Sequence, residues 1–341
     1  MDLRATYLGL ELKNPLVLGA SPLAHHVDSV VRCVEAGASA VVMHSLFEEQ
    51  LTQEELAHER ETKHLADAFA EAQSWLPTPP DFLLGPDDYL EQIRRIKARV
   101  DVPVIGSLNG VSPRGWLRYA RLIQEAGADA LELNVYHLAA DPTQAAENVE
   151  DRILEMVAAV RSNIEIPLAV KLSPFHTSLA HFAKRLTDAG VAGLVVFNRF
   201  YHPDIDVEEL ETQSRLKLSD PSELLLRLRW LAILYGRAAH SLAVTGGVHG
   251  PLDVVKAVMA GANAVQMVSA VLQNGATHFR TVLSGFETWL EEHDYESVQQ
   301  MHGSMSLLRC PDPRAYERAN YVQVLQNWQS LGLTALSFAR H

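Results

Sequence analysis

Residues 242–269, LAVTGGVHGPLDVVKAVMAGANAVQMVS, read as strand, glycine turn, helix, strand and turn. An apolar run at 242–244 ends in Thr245-Gly246-Gly247, a second at 264–268 ends in Ser269, and a helical pattern spans 252–260 between them. Two neighbouring parallel strands then finish side by side in small residues. Gly246 and Gly247 let backbone N–H groups face an incoming anion with no Cβ in the way, and the turn after Val268 adds donors at a helix start. That is how a phosphate cup is built. A Gly-Gly pair that only makes a tight turn is the competing reading, and the rest of the chain has to decide between them.

The helix-to-strand ending of this stretch recurs. Glu35-Ala-Gly-Ala-Ser-Ala-Val-Val-Met, Glu125-Ala-Gly-Ala-Asp-Ala-Leu-Glu-Leu, Asp188-Ala-Gly-Val-Ala-Gly-Leu-Val-Val and Met259-Ala-Gly-Ala-Asn-Ala-Val-Gln-Met each close a helix on a C-cap glycine and run into a short apolar strand. Four further strands begin differently. Asn14-Pro15 precedes 16–20, Val102-Pro103 precedes 104–108, Ile166-Pro167 precedes 168–172 and Ser241 precedes 242–244. Proline is tolerated at a strand's first position, where no ladder hydrogen bond is needed. Interleaved, the two sets predict eight short strands near residues 16, 40, 103, 130, 167, 193, 242 and 264, with helices between them. Repeated βα units in this number point to an α/β fold, a (β/α)8 TIM barrel, with a doubly wound open sheet as the competitor. Residues 6–13 predict a small N-terminal hairpin turning near Gly9 and plugging the barrel's N-terminal end. Long connections at 47–86 and 200–220 follow strands 2 and 6 and are expected to act as lids at the active face. The barrel is expected to span 1–303, with 304–341 as a C-terminal tail or helix packing on it and no chemistry assigned from Trp289 onward.

Among 341 residues, 48% are hydrophobic and 21% charged, enough for a full core. A net charge of −13 without any clustered Lys/Arg stripe argues against nucleic-acid binding. Cys33 and Cys310 are the two cysteines, so no disulfide framework, zinc site or iron–sulfur site is encoded. No metal site is expected. Neither a signal-peptide core nor an apolar run of transmembrane length is present, and a cytoplasmic protein without membrane contact is expected.

In such a barrel, functional residues collect just past the strand C-termini. Those positions read Ala20-Ser21-Pro22, His44-Ser45, Ser107-Leu-Asn109-Gly110, Asn134, Lys171, Asn198-Arg199, Thr245-Gly246-Gly247 and 266–269. Lys171 stands in the apolar run Leu168-Ala-Val-Lys-Leu. It either snorkels outward or points into the site, to meet an anionic ring or form a Schiff base. Asn109, Asn134 and Asn198 suit a flat heterocycle with alternating carbonyl and N–H groups, and each also suits a plain turn.

With these residues in view, the chain resembles the dihydroorotate dehydrogenase family of FMN-dependent barrels, from Leu3 to about Gly303. The landmarks are Tyr7-Leu-Gly-Leu-Glu-Leu-Lys-Asn-Pro-Leu, Ala20-Ser21-Pro22, Glu132-Leu-Asn134, Val170-Lys171-Leu172-Ser173-Pro174, Thr245-Gly246-Gly247-Val248 and Gly261-Ala-Asn-Ala-Val-Gln266, in order. The resemblance implies FMN as cofactor, its phosphate held by Gly246, Gly247, Val268 and Ser269 beside Thr245. It places Ala20 and Ser21 against the ring, and Asn109, Asn134 and Lys171 on the ring edge or ribityl chain. Lys171 near the N1/C2 edge is then expected to stabilise reduced flavin. Asn198 matches an asparagine that binds the substrate pyrimidine.

Departures from the family pattern are equally informative. Where the family reads Asn-x-Ser-Cys-Pro-Asn, this chain reads Asn134-Val-Tyr136-His137-Leu138-Ala139. His137 therefore stands at the position of the base, with Tyr136 as a backup acid, and an imidazole is able to take a proton near neutral pH. His44 stands where a lysine is expected and is assigned to substrate or ring. Phe82-Leu-Leu-Gly-Pro-Asp replaces an Asn-rich substrate loop. The expectation is a divergent branch that transfers hydride between flavin N5 and a small dihydropyrimidine-like or carbonyl-bearing substrate. A Schiff-base aldolase using Lys171 and a non-catalytic flavin-binding subunit are the alternatives. A homodimer is expected, with an electron-transfer partner protein that would carry any iron–sulfur cluster.

Overall fold

The computed structural model describes residues 1–47, 85–109, 113–135, 137–199, 203–213, 216–237 and 240–317. The chain opens with an antiparallel hairpin, β1 (Ala5–Tyr7) and β2 (Leu10–Leu12), whose turn places Leu8 and Gly9 at φ of 56° and 79°. The sequence predicts this hairpin. The barrel strands follow: β3 (Leu16–Leu18), β4 (Val41–Val42) with its continuation β5 (Leu46–Phe47), β6 (Val104–Asn109), β7 (Ala130–Asn134), β8 (Leu168–Leu172) and β9 (Gly193–Val196). A small antiparallel hairpin, β10 (Asp204–Asp206) and β11 (Glu211–Gln213), interrupts the series before β12 (Leu242–Thr245) and β13 (Ala264–Met267) complete it. All barrel pairings are parallel, and β13 returns to β3 while β4 joins both β3 and β6, so the sheet closes. The closed ring excludes the open-sheet alternative.

Helices α1 (Val27–Glu35), α2 (Pro86–Lys97), α3 (Pro113–Glu125), α4 (Ala146–Arg161), α5 (Leu179–Asp188), α6 (Leu224–Leu234) and α7 (Pro251–Ala260) alternate with the strands. The short α8 (Ser269–Asn274) starts where β13 ends, followed by α9 (His278–Glu292) and α10 (Val298–Met301). Outward strand residues such as Leu131, Leu133 and Val170 join the helices in one large apolar layer.

The inward face obeys the two-residue period of a strand. At the N-terminal end its positions are Val17, Val42, Ile105, Ala130, Ala169, Val195, Ala243 and Ala264, into which the hairpin inserts Tyr7, Leu8 and Leu12. Glycine is required at position 193 because the hairpin fills the space: a Cβ there would lie 2.5 Å from Leu8 Cδ2. Two residues further along, the same face becomes polar, with Ser107, Glu132, Lys171 and Gln266 all buried, and then Asn109 and Asn134. The barrel thus has an apolar floor and a polar upper storey.

Of the two expected lids, residues 48–84 lie outside the described residues, as does the Phe82 loop apart from its last three residues. The 200–220 connection carries the β10–β11 hairpin. Residues 303–316 hydrogen-bond back to the helical layer, Gly303 N to the Val258 carbonyl at 3.0 Å, Met305 N to Met259 at 2.8 Å and Leu307 N to Ala232 at 2.9 Å. Residues 318–341 lie outside the described residues. Among the described residues no helix is long and apolar enough to cross a membrane.

Candidate active site

A cavity of about 510 Å³ opens at the C-terminal ends of the strands. Every barrel strand contributes to its wall. Ala20 and Ser21 follow β3, His44 and Ser45 follow β4, and Asn109, Asn134 and Lys171 end β6, β7 and β8. Asn198 and Arg199 follow β9, Thr245, Gly246 and Gly247 close β12, and Gln266, Val268 and Ser269 close β13.

At the bottom of this cavity Lys171 points inward. Its Nζ donates to Glu132 Oε1 at 3.2 Å, and the other carboxylate oxygen accepts from Gln266 Nε2 at 2.7 Å. Strand register produces the contact, since β7 and β8 lie side by side with Asn134 opposite Lys171 and Glu132 opposite Ala169. The lysine is fixed by a buried counter-charge, with both side chains less than a tenth exposed.

The glycine turn adopts the left-handed conformation at both positions, φ 85° at Gly246 and 81° at Gly247. A Cβ at Gly246 would meet the Arg227 guanidinium at 2.7 Å, and one at Gly247 would meet Leu224 N at 2.4 Å. No other residue fits. Gly247 N donates to Ser219 Oγ at 3.3 Å, and Ser219 N donates to Ser269 Oγ at 3.0 Å. These bonds tie the glycine turn, the two serine hydroxyls and the start of α8 into one concavity.

On the opposite wall His44 is packed edge-on against the His25 and Tyr89 rings, at centroid distances of 4.1 and 4.9 Å. Burial, helped by His25, pushes its pKa down to about 3, so the ring is neutral near pH 7. Tyr89 exchanges hydrogen bonds with the Ser107 backbone at 2.9 and 3.1 Å, and Ser107 Oγ meets Ser45 Oγ at 2.8 Å. This bracket holds the β4 and β6 ends together beneath His44.

Five buried polar atoms on the cavity wall find no partner among the described residues: Ser21 Oγ, His44 Nδ1, Asn134 Oδ1, Asn198 Nδ2 and Gln266 Oε1. Buried polar groups are paired as a rule, so such a cluster marks a surface shaped for a polar ligand.

His137 is not part of this wall. It lines a smaller cavity of about 190 Å³ with Phe175 and His176, and its Nε2 lies 3.2 Å from the Gln144 side-chain amide. Tyr136 lies outside the described residues. The remaining expected positions, Ala20, Ser21, His44, Asn109, Asn134, Lys171, Asn198, Thr245, Gly246, Gly247, Val268 and Ser269, share one cavity. Sequence reading placed Gln266 at a strand end without giving it a role, and passed over Glu132, Ser219, Glu223 and Arg227 as site residues. The signals exist: Glu132 interrupts an apolar strand just as Lys171 does, and Arg227 interrupts the leucine-rich run LLLRLRWLAIL of α6.

A sequence model described as dihydroorotate dehydrogenase matches residues 83–290, well over half of the chain. The chain belongs to the dihydroorotate dehydrogenase family. Among similar proteins is the catalytic subunit of dihydroorotate dehydrogenase B (NAD(+)) of Thermoplasma acidophilum, 28% identical over 315 residues, which are 89% of this chain and 98% of that protein. The like-named subunit of Methanosarcina acetivorans is 30% identical over 301 residues, 86% of this chain and 93% of its own. That of Methanocaldococcus jannaschii is 27% identical over 301 residues, 86% and 94% respectively. As a member of the dihydroorotate dehydrogenase family the protein is an oxidoreductase. The aldolase alternative is unsupported, because the family the chain matches is one of dehydrogenases.

Proposed function

We propose that this protein is an FMN-dependent dehydrogenase that moves a hydride between the flavin and a small dihydropyrimidine-like or carbonyl-bearing substrate. The observation that carries the reading is the convergence of unpaired buried polar atoms on one cavity that ends in the left-handed Gly246–Gly247 turn. Those residues fit FMN. Gly246, Gly247, Ser269 and Val268 would hold the phosphate, while Ala20 and Ser21 would face the ring and Asn109, Asn134 and Gln266 its polar edge. When bound, FMN supplies the hydride acceptor and returns the electrons to a second acceptor.

Within this reading the chain itself does four things. The glycine turn orients the cofactor through its phosphate, at a distance from the reacting carbon. Lys171 holds a fixed positive charge at the ring edge, where negative charge develops, and Glu132 with Gln266 prevents it from wandering. Asn198, whose Nδ2 is unpaired, and neutral His44, whose Nδ1 is unpaired, position the substrate. His137 is assigned the coupled proton, which must leave the substrate carbon as the hydride leaves its neighbour, and because its ring lines the smaller cavity in this structure the assignment requires the loop after β7 to turn it toward the substrate.

The relatives named above are called catalytic subunits of NAD(+) enzymes. We therefore assign this chain the catalytic role in a larger assembly, as a homodimer that passes electrons to a partner protein. The test is anaerobic stopped-flow reduction of the flavin-loaded protein by a panel of dihydropyrimidines and reduced nicotinamides, in wild type and His137→Ala. Dihydropyrimidines are expected to bleach the wild-type flavin, and His137→Ala to slow this about 100-fold or more. Unchanged reduction in the variant removes His137 from the proton step. Failure to take up FMN on reconstitution sinks the flavin reading itself.

A further inference from the structure

In a chain of net charge −13, the residues lining the large cavity include the cations Lys171 and Arg199 and, among the described residues, no carboxylate. Lys171 is matched by Glu132. Arg199 belongs to a different arrangement, in which, among the described residues, one carboxylate serves two guanidinium groups. Glu223 Oε1 lies 3.2 Å from Arg199 Nη2, while Glu223 Oε2 lies 3.4 Å from Arg227 Nη2. Arg199, Arg227 and Glu223 together carry a formal charge of +1.

This trio abuts the glycine turn. Arg227 is buried, its Nε donates to the Thr245 carbonyl, and its Nη1 donates to the Glu223 carbonyl at 2.6 Å. Its guanidinium occupies the space that a side chain at Gly246 would need. The Glu223 backbone lies equally close to the other glycine, with its carbonyl carbon 3.0 Å from where a Gly247 Cβ would stand. Arg199 reaches the cavity from the end of β9, next to the strand that carries the turn. The two guanidiniums are near enough that Arg199 helps burial push Arg227 below the usual arginine value, against the pull of Glu223.

We propose that Arg199 and Arg227 make this turn a receptor for a phosphate monoester dianion, Arg227 as a fixed charge behind Gly246 and Arg199 as the cavity-side ligand. Backbone N–H groups alone offer partial charges, whereas a guanidinium presents a planar fork of donors matched to phosphate oxygens. When the anion arrives, Arg199 turns part of its fork from Glu223 to the phosphate, and Glu223 stays paired with Arg227. Glu223 thus keeps the two arginines from repelling each other in the empty turn. The inference rests on the flavin reading only in taking FMN as the natural bearer of that phosphate.

Calorimetric titration of the full chain, dialysed free of flavin, tests this with FMN, riboflavin and ribose 5-phosphate in wild type, Arg199→Gln and Arg199→Lys. Arg199→Gln is expected to weaken FMN and ribose 5-phosphate about 10-fold or more while leaving riboflavin unchanged, and Arg199→Lys to recover part of the loss. Equal weakening of all three ligands, or of none, overturns the proposal. Wild-type protein that binds ribose 5-phosphate through Arg199 and takes up no flavin would refute the FMN reading and leave this one standing.

Discussion

A cation inside a barrel needs a counter-charge, and the pairing of Lys171 with Glu132 shows what removing one member would do. Glu132→Ala leaves an ammonium buried without a partner, and the expected loss is about 3–5 kcal/mol of unfolding free energy, measured by urea denaturation. His44 sets a different test. Its folded-state pKa, about 3, lies below the ordinary 6.5, so the unfolded chain binds a proton that the fold refuses. Stability from this residue is therefore present above about pH 6.5 and drains away as pH falls toward 3. His44→Leu is expected to flatten that acid limb by on the order of a few kcal/mol, with only part of the slope removed because burial lowers His25, His176 and His302 in the same sense. If acid denaturation curves of the two proteins superimpose, His44 is not buried as described. Lys171 was legible in the sequence because an ionisable residue in an apolar strand is expensive and must have a use. Its partner was equally visible in Leu-Glu-Leu, but which lysine a glutamate meets depends on register between strands, and one chain read along its length carries no register.

At the scale of elements, the strands were legible because the Ala-Gly endings and the Pro entries punctuate them, and β6, β7, β8 and β12 begin within one residue of the predicted starts. The β10–β11 hairpin escaped notice, since Asp-Ile-Asp and Glu-Thr-Gln are three-residue strands without an apolar face to bury. The N-terminal hairpin and β9 depend on one another. Gly193→Ala would drive a methyl to 2.5 Å from Leu8 Cδ2 and 3.1 Å from the Ser241 carbonyl oxygen. A loss of about 1–3 kcal/mol is expected in thermal unfolding, and adding Leu8→Ala should not restore it, because the backbone oxygen cannot give way. Gly247→Ala strains a left-handed residue and pushes α6 from the turn at Leu224 N. Weaker binding of phosphate-bearing ligands should accompany its lower stability, whereas Gly9→Ala, at a turn with open space around it, should lose stability alone.

For the molecule as a whole, counting strands was enough to reach a barrel, and the barrel was enough to say on which face the chemistry stands. The cavity's composition was not reachable that way. That Ser21, Asn134, Asn198 and Gln266 all turn unpaired atoms toward one space follows from ring closure, which brings residues from both ends of the chain together. Closure has a second effect through the hairpin beneath it. Tyr7, Leu8 and Leu12 seal the floor against Ala130, Ala169, Ala243 and Ala264, so molecules cannot pass through the barrel and must come and go by the mouth. For any small-molecule acceptor, traffic through one doorway imposes an order on turnover, since a product has to depart before the acceptor takes its place, whereas a partner protein that takes electrons from outside is free of that order. Initial rates measured against both reactants should then give parallel double-reciprocal lines, and intersecting lines would reveal that the two are held at once.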